Sequence, residues 1–118
     1  MVDNINLDSM HEALQGVLST IAQCQLGVFD DMADTQIVFA LRSVQLGGWE
    51  SGRPRIAYGT YSVQIYQKNY DPDLPMRCMA ALLAHHMGAV ADGEAYMDDA
   101  GYTVAGLTAS LWKEINYE

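Results

Sequence analysis

The adjacent pair His85-His86 is where the residue types first invite chemistry. Two imidazoles could hold a metal or pass a proton. On a helix, however, sequence neighbours point about 100° apart, whereas zinc-binding helices place histidines at i and i+4. His86 also falls on the stripe Met79, Leu82, Leu83, His86, so a packed or half-exposed structural role is expected. His11-Glu12 is too isolated to act as a dyad. Asp71-Pro72-Asp73 and Asp98-Asp99 bring carboxylates together. Neither has the glycine-centred ligand spacing of a calcium loop, and capping and turn roles account for both. No G-x-S-x-G elbow, phosphate loop or dinucleotide fingerprint occurs. Cys24 and Cys78 are far apart in apolar contexts and fit no paired-thiol motif. They are expected to be buried free thiols, which suits a reducing site of folding. The expectation is a protein that is not an enzyme, with no catalytic residue, metal ligand or cofactor.

Composition narrows the partners. Half of the 118 residues are hydrophobic and 18% are charged, with a net charge of -9. That suits one globular domain spanning residues 1–118. Four of the six bases (Arg42, Arg53, Arg55 and Lys68) fall in the middle of the chain, and acids dominate both flanks. Nucleic-acid binders gain affinity by releasing counterions through Lys and Arg, so a grip on DNA is not expected. The basic middle could instead meet an acidic protein surface. No apolar run is long enough to span a membrane. Residues 1–6 carry no basic region, so they do not read as a secretory signal.

The elements that would position these groups follow from periodicity. Met10, Leu14, Val17, Leu18 and Ile21 form a helical stripe that should fade near residues 24–27, with Asp8 or Ser9 as N-cap. An acidic connection follows, with Asp30, Asp31 and Asp34. Residues 36–45 read as a strand apolar on both faces, with a helix as the rival reading. Three glycines and a proline make residues 46–55 an irregular loop carrying Trp49, Arg53 and Arg55. It is either a binding arm or a connection whose Trp49 folds back on the core. Ile56–Gln67 alternates as a strand, with Tyr58, Tyr61 and Tyr66 crowded on it and Tyr70 at its exit. Strand propensity explains this crowding, and so would an oligomer contact. Asp71 is placed to cap a helix over residues 74–87, with Pro72 in its first turn and Gly88 as its C′ residue. Its Met76, Met79 and Met87 read as core filler. Residues 89–93 read as a link, residues 94–97 as a short element, Asp98 to Gly101 as a turn, and residues 102–112 as a last strand with a bulge or a bend at Gly106. Residues 113–118 should continue that strand and fray. The result is an α+β domain in the order α-β-β-α-β-β, mainly antiparallel, with two helices packed on one face of the sheet.

This order, with the strand Tyr-Ser-Val-Gln-Ile-Tyr-Gln-Lys at 61–68, the helix that follows, and the turn Asp-Asp-Ala-Gly-Tyr at 98–102, resembles the small tail-terminator and tail-completion proteins of long-tailed bacteriophages. The likeness runs from about residue 9 to residue 112. It departs at residues 28–36, where an early strand is due and Val28-Phe29 is its only trace. The resemblance implies a virion structural protein, assembled in the host cytoplasm and catalysing nothing. It would form a ring, usually a hexamer, on the head-proximal end of the tail tube. The ring would stop tube polymerisation, meet the head's connector and let DNA pass without specific binding. A head-completion or neck protein is the near alternative, and a small acidic binding or regulatory module the distant one. Within a ring, Trp49, Arg53, Arg55 and Tyr58 are the candidate contact residues. Asp30, Asp31 and Asp34 of a neighbour are their candidate partners.

Overall fold

The alternation of Ile56–Gln67 is realised in full. This strand, β3, is the centre of a six-stranded sheet to which every other element is attached. The computed structural model describes residues 7–115. The readings of residues 1–6 and of a frayed end at residues 116–118 lie outside them. The chain runs α1 (Leu7–Leu18), β1 (Cys24–Leu26), β2 (Thr35–Gly47), β3, α2 (Asp73–Ala84), β4 (Gly88–Ala91), β5 (Tyr96–Met97) and β6 (Thr103–Glu114). Sheet order is β1-β2-β3-β6-β4, with β5 also on β6. All pairs are antiparallel except β1 with β2. The fold is α+β with a mainly antiparallel sheet and two helices, and the long elements follow the order read from the sequence.

Register decides which face is apolar. The rows Ile37–Ile65–Ala105, Phe39–Val63–Leu107 and Leu41–Tyr61–Ala109 cross β2, β3 and β6. They share a core with Met10, Leu14 and Leu18 of α1 and with Leu74, Cys78 and Leu82 of α2. The next rows along the strand carry Gln64, Ser62 and Thr60 on the opposite face, which is polar and half-exposed. A bulge at Arg42 shifts the register between Leu41 and Ser43. Past it, Val44 and Leu46 return to the core face, because one extra residue reverses side-chain parity.

Several local expectations are corrected. Helix α1 ends at Leu18, well before residue 24. There the Thr20 hydroxyl donates to Val17 O at 2.7 Å, closing the last turn. It begins at Leu7, so Asp8 and Ser9 lie in its first turn, not at the cap. A short strand forms at Cys24–Leu26, where the helix was expected to fade, and Val28-Phe29 is not in a strand. Residues 88–91 form strand β4 where a link was expected. Gly106 marks neither bulge nor bend: β6 pairs with β3 in unbroken register, and Asp92 lies against that glycine. Helix α2 ends three residues earlier than expected, and Gly88 is not its C′ residue. His86 takes that position with φ 62°. Met87 N–H donates to Leu82 O and His86 N–H to Leu83 O, the two bonds of a Schellman cap. Met87 and Leu82 are both buried, supplying its apolar contact. Both histidines are exposed, and Met76, expected in the core, is exposed as well. Cys24 and Cys78 are free and buried, as the sequence suggested.

Candidate interaction surfaces

The sheet is longer than the helices that cover it, and the molecule measures 52 × 23 × 23 Å. Beyond the core, the ends of β2 and β6 and the start of β3 project as a three-stranded arm. The expected loop at its tip is more regular than its glycines suggested. Glu50 and Arg53 exchange both backbone hydrogen bonds, at 2.8 and 3.0 Å. Between them Ser51 and Gly52 turn the chain with φ of 53° and 76°. Two positive φ values are what a type I′ hairpin turn demands, and Ser51 adopts one despite its Cβ.

The arm displays aromatic surface. Trp49 is 64% exposed at the tip and does not fold back on the core. Tyr58 is 46% exposed and sits between Gln45 and Trp112 in the register, with Trp112 itself 53% exposed. A Cβ on Gly47 would lie 3.2 Å from the Tyr58 ring, so the missing side chain makes room for it. Trp112 was not among the sequence candidates, although it alternates with buried Leu111 and so had to face outward. Arg55 Nε lies 3.5 Å from Glu50 Oε2 within the same tip, in an exposed pair worth at most about 1 kcal/mol.

At the other end stand Asp30, Asp31 and Asp34. Strand β2 separates them from the tip, and its length at about 3.3 Å per residue is roughly 40 Å. Within one chain the structure therefore brings Trp49, Arg53, Arg55 and Tyr58 into one region and leaves the three aspartates in another. Loops from β3 to α2 and from β5 to β6 converge on the acidic end, adding Asp71, Asp73, Asp98 and Asp99.

The acidic end is tightly built. Gln36, fully buried, accepts from Asp30 N at 2.8 Å and donates to Asp30 O at 2.6 Å. Gln67, also buried, does the same for Asp71, at 2.8 and 3.2 Å. Each glutamine thus satisfies both backbone groups of an aspartate where a loop leaves the sheet. The Asp30 carboxylate accepts from Gln23 Nε2 and from Met32 N–H, and these two bonds hold its pKa below the usual value. Asp71 is not the cap of α2, contrary to expectation: Pro72 takes that position, and Asp71, one residue before it, accepts from Asp73 N–H through Oδ1. Asp98 Oδ1 accepts from Ala100 and Tyr102 N–H, forming the expected turn.

An aromatic cluster fastens the acidic flap onto the sheet face away from the helices. Phe29 meets Tyr66 and Tyr102 edge-on at 4.9 and 5.3 Å, and Tyr102 OH donates to Ala33 O. Lys68 Nζ lies 4.7 Å from the centre of the Tyr102 ring. These anchors were not legible beforehand, since Phe29 reads as a strand remnant and Tyr66 and Tyr102 as strand residues.

The other residues singled out for chemistry do not converge. His11 Nδ1 lies 2.7 Å from the hydroxyl of Tyr61, whose ring is wholly buried. Burial pushes that phenol up to about 12. His85 and His86 line a shallow cleft with Ala13, Met87, Leu111, Trp112 and Lys113. Among the described residues no three His, Cys, Asp or Glu side chains are grouped to hold a metal ion, and no helix is long and apolar enough to cross a membrane. The chain matches no protein-family model and no curated protein sequence.

Proposed function

We propose that this chain is a structural protein of a phage virion that forms a ring, usually of six copies, at the head-proximal end of the tail tube. The ring ends tube polymerisation and offers a surface to the head's connector. What carries this reading is the two-ended form of the molecule. An arm with exposed Trp49, Tyr58 and Trp112 projects from one end, and dense carboxylates occupy the other. A head-to-tail ring needs two unlike surfaces per subunit, because each copy meets its neighbours through different patches. Tyr and Trp are enriched at such contacts. The net charge of -9 suits a lumen through which DNA moves without being held. No step in this role needs a catalytic residue or a cofactor.

The exposed acidic end also favours a second reading, a head-completion or neck protein that meets a basic surface on the connector. The two readings part in one experiment. Purified tail-tube protein is allowed to polymerise with and without this chain, and tube lengths are measured by negative-stain microscopy. A terminator shortens the tubes and appears as a ring at one end. Unchanged lengths with no terminal ring would exclude the terminator reading. In the same assay, reversing both Arg53 and Arg55 to Glu should weaken ring assembly and reduce its sensitivity to salt. Unchanged oligomer mass by light scattering would remove the arginines from the contact.

A further inference from the structure

The arm carries two strand edges with no partner among the described residues. On β2, strand β1 covers residues 37–39 and then leaves, Gly27 N–H making its last bond to Phe39 O. Gly47 O faces β3, accepting from Arg55 N–H, so Val44 and Leu46 turn their backbone groups outward. On β6, strand β4 reaches only Ser110. Gly106 O faces the β4 side, accepting from Asp92 N–H, so by alternation Trp112 and Glu114 also point outward. Both open edges lie at the same height, since Gln45, Tyr58 and Trp112 form one row across the sheet. Leu46 stands exposed on the β2 edge and Trp112 on the β6 edge. No proline guards either edge. An open apolar edge is a template for another strand.

We propose that copies of this chain join through the arm, the open edge of β2 in one copy adding to the open edge of β6 in the next. The occupant is a second copy because one chain supplies both halves of the joint. Strands β2 and β6 are each antiparallel to β3 and so run in the same direction. Copies related by rotation therefore pair β6 with β2 in parallel, a head-to-tail contact that can close into a ring. Below the arm both edges are already covered, by β1 on one side and by β4 and β5 on the other. The joint therefore uses the parts of β2 and β6 that β1, β4 and β5 do not cover, and the acidic ends take no part in it. This inference rests on the ring reading but places both unlike surfaces, the β2 edge and the β6 edge, on the arm, in place of an arm that meets a neighbour's acidic end.

Amide hydrogen exchange across a concentration series, read beside sedimentation, tests it. The amides of Val44, Leu46, Trp112 and Glu114 should exchange freely in the monomer and slow by about tenfold or more as oligomer forms. Val44→Pro removes one outward donor at an edge position that tolerates proline. It should remain monomeric where the parent chain assembles, with an unchanged circular-dichroism spectrum. Should that variant unfold, the exchange pattern of the parent chain decides alone. An oligomer whose four amides stay unprotected overturns the inference and leaves the ring standing. Protection of Val44 and Leu46 without Trp112 and Glu114 means a β2-to-β2 dimer and overturns it too. A chain that is monomeric at every soluble concentration also overturns it, and the tube-length assay then judges the terminator reading separately.

Discussion

The two ends of this molecule are closed by opposite means. At the arm, main-chain pairing across β2, β3 and β6 does the work, and large side chains such as Trp49 and Trp112 remain outside. At the acidic end the main chain runs in loops, and buried side chains hold it: Gln36 and Gln67 on the backbone of Asp30 and Asp71, and Tyr102 on Ala33. A strand ladder satisfies the polar groups that its strands turn towards one another, so its side chains are free to serve a surface. Loops cannot do this, so residues that would otherwise face a partner are drawn inward. The comparison predicts that mutations at the acidic end act on stability, and mutations at the arm act on assembly.

The largest effect should come from Gln36→Leu. It leaves the Asp30 N–H and C=O without their partner and should cost about 2–3 kcal/mol in urea denaturation. A loss below about 0.5 kcal/mol would mean that water replaces the amide and that the two ends are not held differently.

Next is the response to alkali, which probes the core between the ends. Burial raises Cys24 from 9.0 to about 12, Cys78 from 9.0 to about 11 and Tyr61 from 10.0 to about 12. All three ionise more readily in the unfolded chain, which therefore binds fewer protons above pH 9. Their contribution is intact below pH 9 and is lost as pH rises towards 11 to 12. Thermal melts across this window should show that fall, and Cys24→Ala should make it shallower. A flat profile would contradict the burial of these groups.

A smaller change, of opposite sign, is expected at the cap of α2. His86 holds a left-handed conformation that glycine adopts without strain. His86→Gly should stabilise the protein by about 0.5–1 kcal/mol. A loss of stability would show that the imidazole itself is needed in the cleft beside Trp112 and Lys113.

The smallest effect on stability belongs to the arm. Trp49→Ser should change the unfolding free energy by less than about 0.5 kcal/mol, since that side chain is mostly in solvent. It should still weaken self-association measured by sedimentation. A large loss of stability with normal assembly would reverse the contrast between the two ends.

The legibility of the chain followed the range of the forces involved. Residues 56–67 could be bounded because their alternation is local and ends at polar residues. The Asp98 turn and the role of Asp71 before α2 rest on hydrogen bonds to residues two to four positions away. The bulge at Arg42 also left a trace, since apolar residues at 37, 39 and 41 resume at 44 and 46. By contrast Cys24–Leu26 and Gly88–Ala91 are too short to show a period. They are strands only because β2 and β6 present open edges to them. The candidate surface was legible in part. Trp49, Arg53, Arg55 and Tyr58 do lie together, while the distance from them to Asp30, Asp31 and Asp34 depends on the length and direction of β2.

By itself, the sequence determined the class of the fold, the central strand, the two helices and the acidic balance. These depend on side-chain period, on caps and turns, and on charge, all of which act within a few residues. Only the tertiary structure decided which glutamines are buried, which end each charge occupies, that His86 rather than Gly88 caps α2, and that two strand edges at the arm have no partner among the described residues. Those outcomes depend on which distant segments meet, and hydrogen bonding and burial reward such meetings without leaving a periodic mark on the chain.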